Sequence, residues 1–159
     1  MHMKKIFIVA VVGLVLSGAF FLQKSLSPAA PRVAGIDAPM HAVVHKSPTC
    51  GCCANYITYL KRQGFDVEVQ NHDDLSSIKE QYGVPGGLES CHTTVIGDYV
   101  SEGHVPAENI IAMLTQKPVI AGIALPGMPA GSPGMGGAMK GAFSLYSFSE
   151  NGDVSPYKE

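Results

Sequence analysis

The chain has 159 residues, 46% of them hydrophobic and only 15% charged, with a formal net charge of −2. That length suits one modest domain plus appendages. The charge argues against a nucleic-acid partner, because neutralising phosphates takes clustered Lys and Arg.

Lys4 and Lys5 precede an apolar run from Ile6 to Leu16, and the small residues Ser17, Gly18 and Ala19 follow. This pattern predicts a signal peptide or N-terminal anchor over residues 1–24. If uncleaved, Ile6 to Leu22 is just long enough for a short membrane span, so membrane association is expected only through an uncleaved N-terminus. A lysine-led signal on a short chain points to a bacterial periplasm, an oxidising compartment. Residues 25–40, "SLSPAAPRVAGIDAPM", are Ser/Pro/Ala-rich and read as a linker.

"HAVVHK" (41–46) has strand character, and Ser47-Pro48-Thr49 breaks it. A helical pattern begins at Cys53, places Tyr56, Ile57 and Leu60 at helix spacing, and stops at Gly64. "FDVEV" (65–69) alternates as a second strand. "DDLSSIKEQYG" predicts a short helix capped by Asp73 or Asp74 and ended by Gly83. "TTVIGDYVSEG" (93–103) predicts a hairpin turning near Gly97-Asp98, and "PAENIIAMLTQ" (106–116) another helix with Pro106 at its start. The resulting β-α-β-α-β-β-α order predicts a thioredoxin-like α/β domain over 41–117, a central mixed sheet flanked by helices. Residues 118–159 are read as a C-terminal extension that contributes to a metal site. Its first part, 118–141, is too dense in Gly and Pro for a helix interior or a central strand. Its end, "AFSLYSFSENGDVSPYKE", predicts a hairpin turning at Asn151-Gly152.

The chemistry concentrates in "CGCC". Cys50 and Cys53 have the spacing of a redox pair, and a helix N-terminus there stabilises a thiolate. That makes them either nucleophiles for disulfide exchange or metal ligands. Cys52, between them, competes for any disulfide and invites over-oxidation. It makes better sense as a ligand for a soft metal, Cu(I) or Zn(II). Cys91-His92 lies at or beside the position where thioredoxin-like folds carry a cis-proline facing the C-x-x-C, which brings a fourth sulfur near. Structural zinc suits four cysteines, but C-x-C-C is unlike paired C-x-x-C knuckles, and neighbouring thiolates on one turn more naturally bridge several ions. Cu(I) also accepts thioethers, so Met128 and Met135, each in a "PGM" triplet, are candidate ligands in a flap, with gap filling as the rival role. His92 adjoins Cys91 and is expected near the metal. His104 reads equally as a ligand or as a residue capping the following helix. His45 reads as an outer neighbour of the cysteines or a surface residue, His41 and His72 as surface residues, and Met113 as core.

The stretches "SPTCGCCANYITYLKRQGFDVEV", "YGVPGGLESCHTTVIGDYVSEGHVPAENI" and "LPGMPAGSPGM" together resemble the CopG-type proteins of Gram-negative bacteria. These periplasmic proteins carry a C-x-C-C motif and are associated with copper resistance. The resemblance spans roughly residues 41–157. It implies a thioredoxin-like domain with a metal-binding extension, a cysteine-bridged cluster of several copper ions, and interconversion of Cu(I) and Cu(II) in support of copper export. Carried over to this sequence, it implies cluster thiolates from Cys50, Cys52, Cys53 and Cys91, and it matches the segments holding His104, Met128 and Met135. The expected partners are copper ions and a periplasmic copper efflux system, and the expected state is a monomer. Two alternatives stand beside this reading. One is a thiol–disulfide oxidoreductase with Cys50 and Cys53 as its catalytic pair. The other is a non-catalytic chaperone that hands Cu(I) to an efflux partner.

Overall fold

The structure, a computed structural model, describes residues 39–158. The signal or anchor expected at 1–24, and most of the linker expected at 25–40, lie outside the described residues. The elements in chain order are β1 (His41–Lys46), α1 (Gly51–Arg62), β2 (Asp66–Asn71), α2 (Ser76–Gln81), a 3-10 turn (Gly86–Leu88), β3 (His92–Ile96), β4 (Tyr99–Gly103), α3 (Ala107–Gln116), β5 (Gly122–Leu125), β6 (Tyr146–Phe148) and β7 (Val154–Pro156). All seven strands form one mixed sheet in the order β2-β1-β3-β4-β5-β6-β7. β1 runs parallel to β2 and antiparallel to β3, and β3 and β4 form the expected hairpin. The α/β class, the central mixed sheet and the helix and strand order up to residue 117 thus agree with the pattern read from the sequence.

The local reasons are legible. In β1, Ala42 and Val44 alternate into the core, as a period of two requires. In α1, Cys53, Tyr56 and Leu60 recur three and four residues apart and are fully buried. Lys61 and Arg62 complement the carboxyl end of its dipole, and Gly64 leaves the helix at φ 93°. Tyr56 and Leu60 then pack with Val44, Ile110, Met113 and Ile123 into one core cluster, so Met113 is the core residue expected. The N-cap of α2 is Leu75 and not Asp73 or Asp74; Asp74 stands one residue before it, where its Oδ1 accepts from the Ser76 amide at 2.9 Å in a local turn.

Two further expectations need correction. The helix at the cysteines begins at Gly51, with Cys50 as its N-cap, and not at Cys53. Gly51 and Cys52 add nothing to the apolar periodicity, which becomes visible only from Cys53 onward. The second correction concerns residues 118–141, where a central strand had been excluded. Gly122–Leu125 is such a strand, buried throughout and hydrogen-bonded between β4 and β6. The short run "GIAL" was masked by the Gly and Pro that surround it. Its glycine is required, because a Cβ at Gly122 would meet the Val100 carbonyl and the Phe148 ring. Through β5 the extension is continuous with the sheet, and its end returns as the antiparallel β6–β7 hairpin. Among the described residues no helix is long and apolar enough to cross a membrane.

Candidate metal centre

The site is built on the first turn of α1. Cys50 caps the helix, its sulfur accepting from the Cys53 amide at 3.3 Å. Cys50 and Cys53 are joined by a disulfide, with their Cα atoms 5.4 Å apart. Cys52 is a free thiol, as is Cys91. The Cys52 sulfur lies 3.5 Å from that of Cys50 and 3.9 Å from that of Cys91. All four sulfurs fall within 4.8 Å of one another. The third cysteine is therefore placed between the disulfide and the fourth thiol.

Cys91 belongs to a second group. Its sulfur is 3.3 Å from His92 Nδ1 and 3.2 Å from His104 Nε2, and these three donors also lie within 4.8 Å of one another. The hairpin causes this. His92 opens β3 and His104 follows directly on β4, so both imidazoles sit at the same end of two paired strands. Their rings meet edge to face at 4.9 Å, and Tyr56 packs against both, at 4.6 Å and 5.3 Å. The Tyr56 hydroxyl donates to the Val105 carbonyl at 2.7 Å, which ties the chain after β4 to α1. His104 donates from Nδ1 to the Pro133 carbonyl at 2.6 Å. That bond leaves the Nε2 lone pair facing Cys91, the tautomer a metal ligand needs. His104 thus faces Cys91, while the N-cap of α3 is Pro106.

The Gly/Pro loop reaches the site through its backbone. A Cβ at Gly134 would come within 2.6 Å of the Tyr56 amide nitrogen and 3.1 Å of the Cys52 carbonyl, so glycine lets the loop lie directly on α1. Met135 follows at once and is half-buried beside this contact. Met128 is 41% exposed, at φ 46°. The structure thus brings together Cys50, Cys52, Cys53, Cys91, His92 and His104, while the loop contact is made by Pro133 and Gly134. His45, read as an outer neighbour of the cysteines or a surface residue, is 4% exposed and contacts His72 and Tyr82.

A buried ion pair holds the Cys91 segment in place. Lys79 Nζ lies 2.5 Å from Glu102 Oε1, with the two side chains 6% and 0% exposed. Glu102 Oε1 also accepts from the Ser90 amide at 2.6 Å, and Oε2 from the Thr93 hydroxyl at 2.6 Å. One carboxylate on β4 therefore holds the Ser90 backbone before Cys91-His92 and the Thr93 side chain after it. Sequence reasoning passed over Glu102, Lys79, Tyr56 and Pro133. The available signal was an acidic residue in a strand whose other residues are apolar or small, which needs a buried partner.

The ionisable groups reflect this burial. Burial, and then the neighbouring Cys52, push the Cys91 thiol up to about 12. It stays protonated until a cation compensates the thiolate. Burial, then His104 and Lys79, hold His92 down to about 3. Burial also lowers His104, against the opposing bond to Pro133. Both shifts favour the neutral imidazole at pH 7. A pH prediction follows for the metal-free chain. From pH 6.5, the ordinary value, down to about 3, the unfolded chain binds a proton at His92 and the folded chain does not. Stability present above 6.5 is therefore lost as the pH falls, by up to roughly 5 kcal/mol from this group. Urea unfolding at pH 7, 5 and 4 should show a steady loss, smaller in His92→Phe; equal stability at pH 7 and 4 would contradict it.

Four sulfurs, two of them joined in a disulfide, and two neutral imidazoles converge on one α/β domain, a donor set whose chemistry suits a soft metal. Two solved structures share this architecture. They are described as "Copper resistance protein copG- Form 2" and "Copper resistance protein copG- Form 1", each 39% identical, with TM-scores of 0.69 and 0.68. Each match covers 74% of this chain, and 95% and 94% of the respective solved chains. The chain belongs to the CopG copper-resistance protein family. The pattern of a family described as "Protein of unknown function, DUF411" matches residues 88–135, the stretch from the 3-10 turn through Met135. No curated protein matches the chain.

Proposed function

We propose that this chain is a periplasmic protein that holds several copper ions in a thiolate-bridged cluster and interconverts Cu(I) and Cu(II). Cys50, Cys52, Cys53 and Cys91 supply bridging thiolates, and His92 and His104 supply terminal nitrogens. The thioredoxin-like part, 41–117, carries these donors, and the extension from 118 covers them through Pro133 and Gly134, with Met135 and Met128 as outer thioether ligands. Loading the full set first needs the Cys50–Cys53 bond opened by an external dithiol, which gives up two electrons and two protons and becomes a disulfide while Cys50 and Cys53 become thiols. The observation that carries this reading is Cys52 beside Cys91 at 3.9 Å, next to the disulfide. A dithiol enzyme has no use for either residue.

The test is to reduce the chain anaerobically, load it with Cu(I) and measure copper per chain by elemental analysis. More than one copper per chain is expected; less than one, with all thiols free, sinks the reading. The Cys50–Cys53 disulfide at a helix N-terminus favours a second reading, a thiol–disulfide oxidoreductase. It predicts insulin-reductase turnover without metal that survives Cys52→Ser. A chaperone delivering Cu(I) to an efflux partner differs from the first reading in having no Cu(I)/Cu(II) cycle in stopped-flow oxidation.

A further inference from the structure

A buried cation stands at the entrance to the metal centre. Lys46 ends β1 and is 6% exposed. The sheet register sets it opposite His92, and strand alternation gives it the face of Val44, which α1 covers. Its ammonium donates to the Ser47 carbonyl at 2.7 Å, to Asn71 Oδ1 at 3.2 Å and to the Pro48 carbonyl at 3.5 Å. The Ser47 carbonyl also accepts from the Cys50 amide at 3.1 Å. One oxygen thus joins the ammonium to the residue that caps α1, and the turn that presents the cysteines is built around a positive charge.

That charge has no anion of its own. Its three acceptors are neutral oxygens, and among the described residues no carboxylate pairs with it. Lys79 makes the contrast. Burial first, then His104, Lys79 and Lys46, hold the proton affinity of His92 down, so both ammonium charges are felt inside the donor group. The charge of Lys79 is neutralised by Glu102, and that of Lys46 is not. The first turn of α1 adds to the imbalance. It holds no acidic residue, so the positive end of the helix dipole also stands open at Cys50–Cys53. A buried charge is costly until something of opposite sign offsets it, and the groups in place to do so are the sulfurs, once they are thiolates.

We propose that Lys46 sets the valence preference of the metal centre, its uncompensated charge favouring bound Cu(I) over Cu(II). The identity of the metal rests on the copper reading above; the charge rests on the fold alone. One electron from an external one-electron donor turns Cu(II) into Cu(I) and removes one positive charge from the site. A fixed cation nearby favours that step and raises its potential. Salt screens an exposed charge from such a role, but screens a buried one much less.

The test compares the full native chain with Lys46→Met and Lys46→Arg, each checked by thermal melts. If Lys46→Met does not fold, Lys46→Gln, which keeps a donor for the Ser47 carbonyl, replaces it. In the metal-free chain, alkylation of the free thiols Cys52 and Cys91 is timed with iodoacetate and with iodoacetamide. Both reagents attack the same thiolate, so the ratio of their rates cancels thiol acidity and reports local charge. Lys46→Met should lower that ratio on the order of threefold, and Lys46→Arg should keep it. In the copper-loaded chain, redox titration of Lys46→Met should show on the order of tenfold less Cu(I) relative to Cu(II) at a given potential, a midpoint about 59 mV lower for one electron. Lys46→Arg should stay near the native midpoint. Equal alkylation ratios in all three chains, or a Lys46→Met midpoint at or above the native one, overturns the proposal. A native chain that takes up no copper overturns the copper reading, and the alkylation ratio then decides the charge of Lys46 by itself.

Discussion

Replacing Cys91 with serine is expected to strip the chain of roughly half or more of its copper while leaving its fold intact. Cys91 is the residue shared by both donor groups, with its sulfur 3.9 Å from Cys52, 3.3 Å from His92 Nδ1 and 3.2 Å from His104 Nε2. A hydroxyl is a hard, weakly acidic donor and does not bridge soft ions as a thiolate does. The substitution therefore separates the helix sulfurs from the hairpin imidazoles. Its structural cost is small, because Cys91 is half-buried and serine keeps its shape, so the change lies within the ordinary range of about 1 kcal/mol. Elemental analysis of anaerobically loaded protein, paired with thermal melts of the metal-free form, separates the two effects. Copper content equal to that of the native chain would show that Cys91 is not a cluster ligand.

The largest stability effect is expected at Glu102. Glu102→Ala leaves the Lys79 ammonium buried and unpaired, and deprives the Ser90 amide and the Thr93 hydroxyl of their acceptor. Breaking one side of a buried pair costs about 3–5 kcal/mol, a large part of the roughly 5–15 kcal/mol that a domain has. Burial pushes the Glu102 carboxyl above its ordinary range, against the opposing pull of Lys79 and the two hydrogen bonds. The ion pair is thus retained at a desolvation cost. That leads to a second expectation: Lys79→Met combined with Glu102→Leu should recover most of the stability lost in Glu102→Ala. Urea unfolding of the three chains decides it, and a single-variant loss under about 1 kcal/mol would mean that water reaches the pair. If the pair's purpose is to hold Ser90 and so aim Cys91, the double variant should regain stability and still retain copper less well than the native chain.

Much of this was legible from residue order. Apolar periodicity and the capping and breaking residues located β1, α1, the β3–β4 hairpin, α3 and the last hairpin, because each is specified by contacts a few residues apart. C-x-C-C announced a thiol site for the same reason. β5 was not legible, because four apolar residues between glycines become a strand only when β4 and β6 supply partners on both sides. Nor was the role of the Gly/Pro loop, whose methionines are its visible donors in the sequence but which meets His104 through the Pro133 carbonyl and α1 through the missing side chain of Gly134.

The division has a physical cause. The sequence alone determined the inventory of donors, their placement at a helix start and a hairpin end, and the order of the elements, all set by local backbone preference and spacing. Only the tertiary structure decided which donors meet. It set Cys52 between the disulfide and Cys91, turned His104 Nε2 toward sulfur by engaging Nδ1, and put His45 against His72 on the far face. Each of these depends on strand register and on burial between residues far apart in the chain, and no local pattern encodes them.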